Sequence, residues 1–210
     1  MIASAEQFLE LVGKFLATYP TAVAIVLAVV GYALKHVSDV RVRRLDARIG
    51  FVTSQLRDLY GPLFILAETN DKSWSEFRAR FRPDRPMFSE SDPLNDVERG
   101  EYCRWLGTVF VPCNEKMRMV IERNAHLFEH SEPPREILQL LAHFDELNVV
   151  LSKLKDGTDS NVFPNLMYPK EFSATVRRDY HRVAKEHARL TAKRHKTPKA
   201  VVEGRHTPTT

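Results

Sequence analysis

Thr21-Ala-Val-Ala-Ile-Val-Leu-Ala-Val-Val-Gly-Tyr-Ala-Leu34 decides how this chain is read. It is the heart of a run without charge between Lys14 and Lys35. About 20 residues rising about 1.5 Å each match a hydrocarbon core of about 30 Å. Backbone polar groups survive in that core only when the segment satisfies them itself, so one membrane-spanning helix is expected at 18–36. Tyr19 and Tyr32 fall near its two ends, where amphipathic rings favour the interface. A buried helix of a soluble core also reads as apolar, but it usually keeps a polar face, and this stretch has none. The residues ahead hold Glu6 and Glu10 against a single Lys14, so the basic start of a cleaved signal peptide is missing. Lys35, Arg41, Arg43, Arg44 and Arg48 follow the run instead. By the positive-inside rule the N-terminus then lies outside a bacterial inner membrane, and the body after residue 35 lies in the cytoplasm.

Outward from the span, Phe8, Leu9, Leu11, Val12, Phe15 and Leu16 recur at spacings of three and four. Residues 3–18 therefore read as an amphipathic helix, set off by Pro20, that either lies along the interface or extends the span. On the other side, Val42, Leu45, Ile49, Val52, Leu56, Leu59, Leu63 and Leu66 form a heptad seam. The seam packs either onto the chain's own bundle or onto a second subunit. Gly61-Pro62 interrupts it, and a kink or break is expected there.

Of the 210 residues 28% are charged, with a net charge of +4. This balance excludes global disorder, and the length allows one domain plus an appendage. Cys103 and Cys113 are the only cysteines, too few for a disulfide scaffold or a cysteine-based zinc site. Asp92-Pro93 reads as the start of a further helix, Pro112 as an interruption, and Pro133-Pro134 as the opening of another that ends at Asp156-Gly157. The last helix, at about 170–192, presents Phe172, Val176, Tyr180, Val183, His187 and Leu190 on one stripe. No segment alternates with period two. The expected fold is all-α: an amphipathic plus transmembrane part at 1–36, a connecting heptad helix at 37–66, a cytoplasmic four- to five-helix bundle at 67–192 and a disordered tail at 193–210.

Phosphate-cradling glycine loops, zinc-binding helix motifs and nucleophile elbows are all missing, so no cofactor and no metal is expected. Two features remain. Arg178, Arg182, Lys185 and Arg189 step along one face of the last helix, an anion-binding stripe for RNA or anionic lipid, or else a solvated face. Arg182 and His187 also fit Arg-x4-His, within the Arg-x(4–6)-His signature of HEPN ribonucleases, in which arginine stabilises phosphate charge and histidine moves the 2′-hydroxyl proton. Arg123 and His130 are the alternative pair. Twenty arginines, three permitted spacings and eight histidines in 210 residues give about two such matches by chance, and three occur, the third being Arg189 with His195. His187 also continues the apolar stripe, which suits a packed histidine.

The layout resembles small bacterial membrane-anchored helical proteins of uncharacterised type in its N-terminal span, Leu59-Tyr-Gly-Pro-Leu63, Phe110-Val-Pro-Cys-Asn114 and Tyr168-Pro-Lys-Glu-Phe172. It also looks like the accessory membrane protein of type VI-B CRISPR systems, through its span, its helical body and Arg182-Val-Ala-Lys-Glu-His187. That resemblance implies a HEPN-like bundle, self-association and pore formation in antiviral defence. The resulting expectation is a homo-oligomeric membrane effector or scaffold without enzymatic activity. A membrane-tethered, metal-independent ribonuclease is the alternative.

Overall fold

The computed structural model describes residues 7, 10, 13, 14, 18–89, 91–129, 134–157 and 164–196. Among them the regular elements are helical and no strand occurs. They are α1 (Pro20–Ser54), α2 (Gly61–Phe81), α3 (Asp96–Trp105), α4 (Val111–Arg123), α5 (Arg135–Asp156) and α6 (Phe172–Lys196). Wide π-type turns at Gln55–Tyr60 and Leu106–Phe110 join α1 to α2 and α3 to α4. The chain forms two compact units, Met1–Arg48 with Ala192–Thr210, and Ile49–Thr191. Residues 49–66 of the expected connecting helix thus belong to the bundle. Residues 193–196 of the expected tail are helical, and 197–210 lie outside the described residues.

In the first unit, α1 is long and apolar enough to cross a membrane, and none of its apolar window is buried. Ile25, Val26, Leu27, Val29 and Leu34 all stand exposed. Farther along, Arg194 Nε donates to Asp46 Oδ1 at 2.6 Å, tying the last turn of α6 to α1. The amphipathic stripe from Phe8 to Leu16 lies outside the described residues.

In the second unit both internal prolines are absorbed rather than ending a helix. Proline lacks an N–H and its ring crowds the carbonyl four residues back. Each wide turn bonds five residues back instead, Gly61 N–H to Leu56 O and Val111 N–H to Leu106 O, just ahead of Pro62 and Pro112. Of the kink or break expected at Pro62 the break does not occur, and it and the interruption expected at Pro112 are widened turns inside continuing helix. Pro62 cannot serve the Asp58 carbonyl, and Asn124 Nδ2 donates to it at 2.9 Å from another helix end. Gln55 Nε2 likewise reaches Leu127 O at 2.8 Å.

The widened turn also edits the heptad seam. Val52, Leu59 and Leu63 are buried in the chain's own bundle, Leu56 and Leu66 only half-buried, while Gln55, Tyr60 and Ala67 enter the core. Leu59 and Tyr60 are neighbours in sequence and both buried, which the extra residue of the wide turn permits. An aromatic cluster around Phe77 (Trp74, Phe81, Tyr102, Trp105 and Phe110, with ring centroids 5.4–6.1 Å away) joins α2 to α3 and the second wide turn. On α5 the expected stripe from Ile137 to Leu151 faces inward, and Gly157 closes the helix at φ 65.

The proline-rich connection is built around a charge. Arg82 is 1% exposed, donates to Pro86 O at 2.7 Å and Glu98 Oε2 at 2.7 Å, and bonds the Asp92 carbonyl. Arg85 pairs with Asp92 and reaches Glu98 Oε1 at 3.0 Å. This draws Asp92 away from the capping role expected of it. Asn95 caps α3 instead: its Oδ1 accepts from Glu98 N at 2.9 Å, while Glu98 Oε2 accepts from Asn95 N at 3.0 Å.

A Cβ added at Gly61 would stand 2.5 Å from the Leu56 carbonyl oxygen, whereas at Gly100 it would meet nothing within 4 Å. In an ordinary helix glycine-to-alanine gains up to about 1 kcal/mol, and Gly100→Ala is expected to do so. Gly61→Ala is expected to lose about 1–3 kcal/mol instead, because backbone must shift. Thermal unfolding of the two variants in detergent checks this, and stabilisation by both would contradict the widened turn.

Candidate functional site

The basic face of α6 is open to solvent. Arg178, Arg182, Lys185 and Arg189 are all exposed. Arg182 is engaged by Glu129 Oε2 at 2.8 Å and Asp179 Oδ1 at 3.5 Å, and Arg178 by Asp179 at 3.8 Å. The crevice beside Arg182 is lined by Glu129, Glu136, Glu171 and Asp179 against Arg135, Arg178 and itself. Carboxylates outnumber guanidiniums there, which does not favour a phosphate. Tyr60 shares the crevice, and burial, reinforced by the Asp179 carboxylate, pushes its phenol up to about 12.

His187 is half-buried on the same helix. Five residues at 100° each set it about 140° around the axis from Arg182, so one chain does not bring the pair to a common point. In the alternative pair Arg123 is exposed at the end of α4, and His130 lies outside the described residues. No group of three or more His, Cys, Asp or Glu among the described residues could hold a metal ion. Burial pushes the Cys113 thiol up, against an activated nucleophile.

A second place emerges only in three dimensions. Inside the Ile49–Thr191 unit is a cavity of about 590 Å³. Its walls are mainly apolar, with Trp74, Phe88, Tyr102, Phe110, Leu106 and Leu147 prominent. Four polar atoms belong to residues lining it and have no hydrogen-bond partner among the described residues: Asn70 Oδ1, Asn114 Oδ1, Tyr168 OH and Ser173 Oγ. Asn70, Asn114 and Ser173 are 9%, 3% and 8% exposed. Ser173 and Asn70 flank the Tyr168 phenol as hydrogen-bonding neighbours, whereas Asn114 Oδ1 has none, and an unsatisfied buried group costs about 1–3 kcal/mol.

The segment ahead of α6 closes one side and is held from α5. His143 Nδ1 donates to Leu166 O at 2.5 Å, while Glu146 accepts from Asn165 N at 2.7 Å and Leu166 N at 2.5 Å. Three residues apart on a helix, His143 and Glu146 share a face and grip both polar groups of Leu166. Pro164, Met167 and Tyr168 of this segment line the cavity.

Sequence reasoning did not single out Asn70, His143 or Ser173. A signal existed for the others, since Phe110, Asn114, Tyr168 and Lys170 all fall in two of the short motifs noted above. Burial holds His143 below the usual histidine range, against the opposing pull of Leu166 O and Glu146. A depressed folded pKa means stability that is full above the unfolded value, about 6.5, and lost as pH falls. Thermal stability is expected to fall between pH 7.5 and 5, and His143→Gln should flatten that slope. An unchanged slope in the variant would remove His143 from the clamp.

Compared with known protein families, curated proteins and solved structures, the chain matches none of them.

Proposed function

We propose that this chain is a single-pass membrane-anchored protein with its N-terminus outside and its helical bundle in the cytoplasm. It acts as a homo-oligomeric effector or scaffold of the bacterial inner membrane, not as an enzyme. The observation that carries the reading is the apolar window of α1, no part of which is covered by the chain itself. Each large aliphatic left in water forgoes roughly 1.5–3 kcal/mol, and a bilayer recovers it along the whole window. Orientation follows from Lys35, Arg41, Arg43, Arg44 and Arg48 beyond the span, with Arg194 joined to Asp46 beside them. These cations suit anionic headgroups on the cytoplasmic face.

Self-association draws on the span and on the part of the seam next to it. Val42 and Leu45 are only half-buried, whereas Val52 is committed to the core. Pore formation in defence is the form of effector that the resemblance adds.

A reporter active only in the cytoplasm, fused to Thr210, is expected to be active, and an externally labelled C-terminus would reverse the topology. Val42→Lys combined with Leu45→Lys is expected to reduce the mass in detergent to that of a monomer, and an unchanged mass would remove the seam from assembly. Expression is expected to depolarise the membrane while RNA stays intact. Cleaved RNA, lost in both Arg182→Ala and His187→Ala, would establish the ribonuclease instead.

A further inference from the structure

We propose that the cavity lined from α2, α3, α4, α5 and α6 binds a small, neutral aromatic molecule that donates hydrogen bonds. This goes beyond membrane anchoring and does not depend on it. The volume, about 590 Å³, lies inside the range of small-molecule sites, which are mostly apolar with a few placed polar groups.

The polar groups set the ligand's hydrogen-bonding character. Asn70 Oδ1 and Asn114 Oδ1 are amide oxygens, which only accept, so their partner must donate. Ser173 Oγ and Tyr168 OH accept or donate as the partner requires. Ser173 and Asn70 flank the Tyr168 phenol and act on it as hydrogen-bonding neighbours, so an occupant competes with them there. Asn114 Oδ1 has no such neighbour and is the acceptor left for an occupant.

Charge sets the next limit. The charged residues lining the cavity are Asp71, half-buried, and Lys170, exposed, of opposite sign and neither fully inside. His143 spends its Nδ1 on Leu166 O. An ion placed against the deep wall would lose its water without a counter-charge, so the occupant is neutral. Ring-bearing walls set the shape. Trp74 lies 5.6 Å from Phe110 and 6.5 Å from Phe88, and Phe88 lies 5.7 Å from Tyr102, centroid to centroid. Such a surface favours a flat ring packed offset or edge-on. Water would satisfy the polar atoms alone and gain nothing from these rings.

The test uses the full-length protein in detergent and four probes: indole, adenine, naphthalene and naphthalene-2-sulfonate. Binding is read as a saturable change in tryptophan fluorescence and as a shift in thermal midpoint. Indole or adenine is expected to bind saturably, and naphthalene roughly tenfold more weakly, the size of one neutral hydrogen bond. Asn114→Leu and Ser173→Ala are each expected to weaken that binding roughly tenfold, with helicity checked by circular dichroism. Should Asn114→Leu lose helicity, Ser173→Ala carries the comparison. Saturable binding by none of the probes would leave a hydrated cavity and overturn the proposal. Equal binding of naphthalene, or variants that bind like the parent, would overturn the role of the polar atoms. Tightest binding by the sulfonate would overturn neutrality.

Discussion

Two prolines placed inside helices constrain this structure more than any single contact. Pro62 and Pro112 each remove a backbone donor and crowd a carbonyl, and the helices continue only because the turn ahead of each widens to five residues. The first widening puts both Leu59 and Tyr60 inside and places Gln55 where it reaches the Leu127 carbonyl. It also leaves the Asp58 carbonyl to Asn124, which fastens the end of α4 to the same turn. From the second widening come two walls of the cavity, Leu106 and Phe110, with Asn114 one turn farther on. Gly61 is the residue that makes the first turn sterically possible, since any Cβ there would meet a backbone oxygen.

Charged groups then locate the segments between helices. Arg82 is almost wholly withdrawn from water, and its cost is offset because carboxylates and carbonyls meet its donors on several sides. A buried ion pair of this kind adds little net stability, but breaking it would strand a charge. Its structural effect is to fold the connection between α2 and α3 back against Glu98, which in turn completes the cap of α3. From α5, His143 and Glu146 do the same for the segment ahead of α6. Both networks bring a loop onto the cavity: Met87 and Phe88 from one, Pro164, Met167 and Tyr168 from the other.

Much of the helical plan was legible in the chain because it depends on local signals. The stripe of α5 and its glycine cap, the seam of α6 and the uncharged run of α1 all obey spacings that adjacent residues set by themselves. Other local signals were outcompeted. Asp92 precedes a proline as a helix-capping residue should, yet two arginines claim its carboxylate and Asn95 caps instead. Arg-x4-His was visible as a motif on α6, and the structure adds that Arg182 pairs with Glu129. The cavity residues Asn70, His143 and Ser173 were the least legible, because they come from three helices and no spacing links them.

By itself the sequence determined that the chain is helical, that one helix near its start is long and apolar enough to cross a membrane, and where α5 begins and ends. Those properties follow from periodicity, caps and uncharged length, all of which act within about two turns of chain. Only the tertiary structure decided how the prolines are absorbed, which half of the heptad seam the bundle keeps, and that Asn70, Asn114, Tyr168 and Ser173 come together at one aromatic chamber. Such outcomes depend on which distant groups meet, and burial raises the stakes of every unmatched donor or acceptor only after the helices have packed.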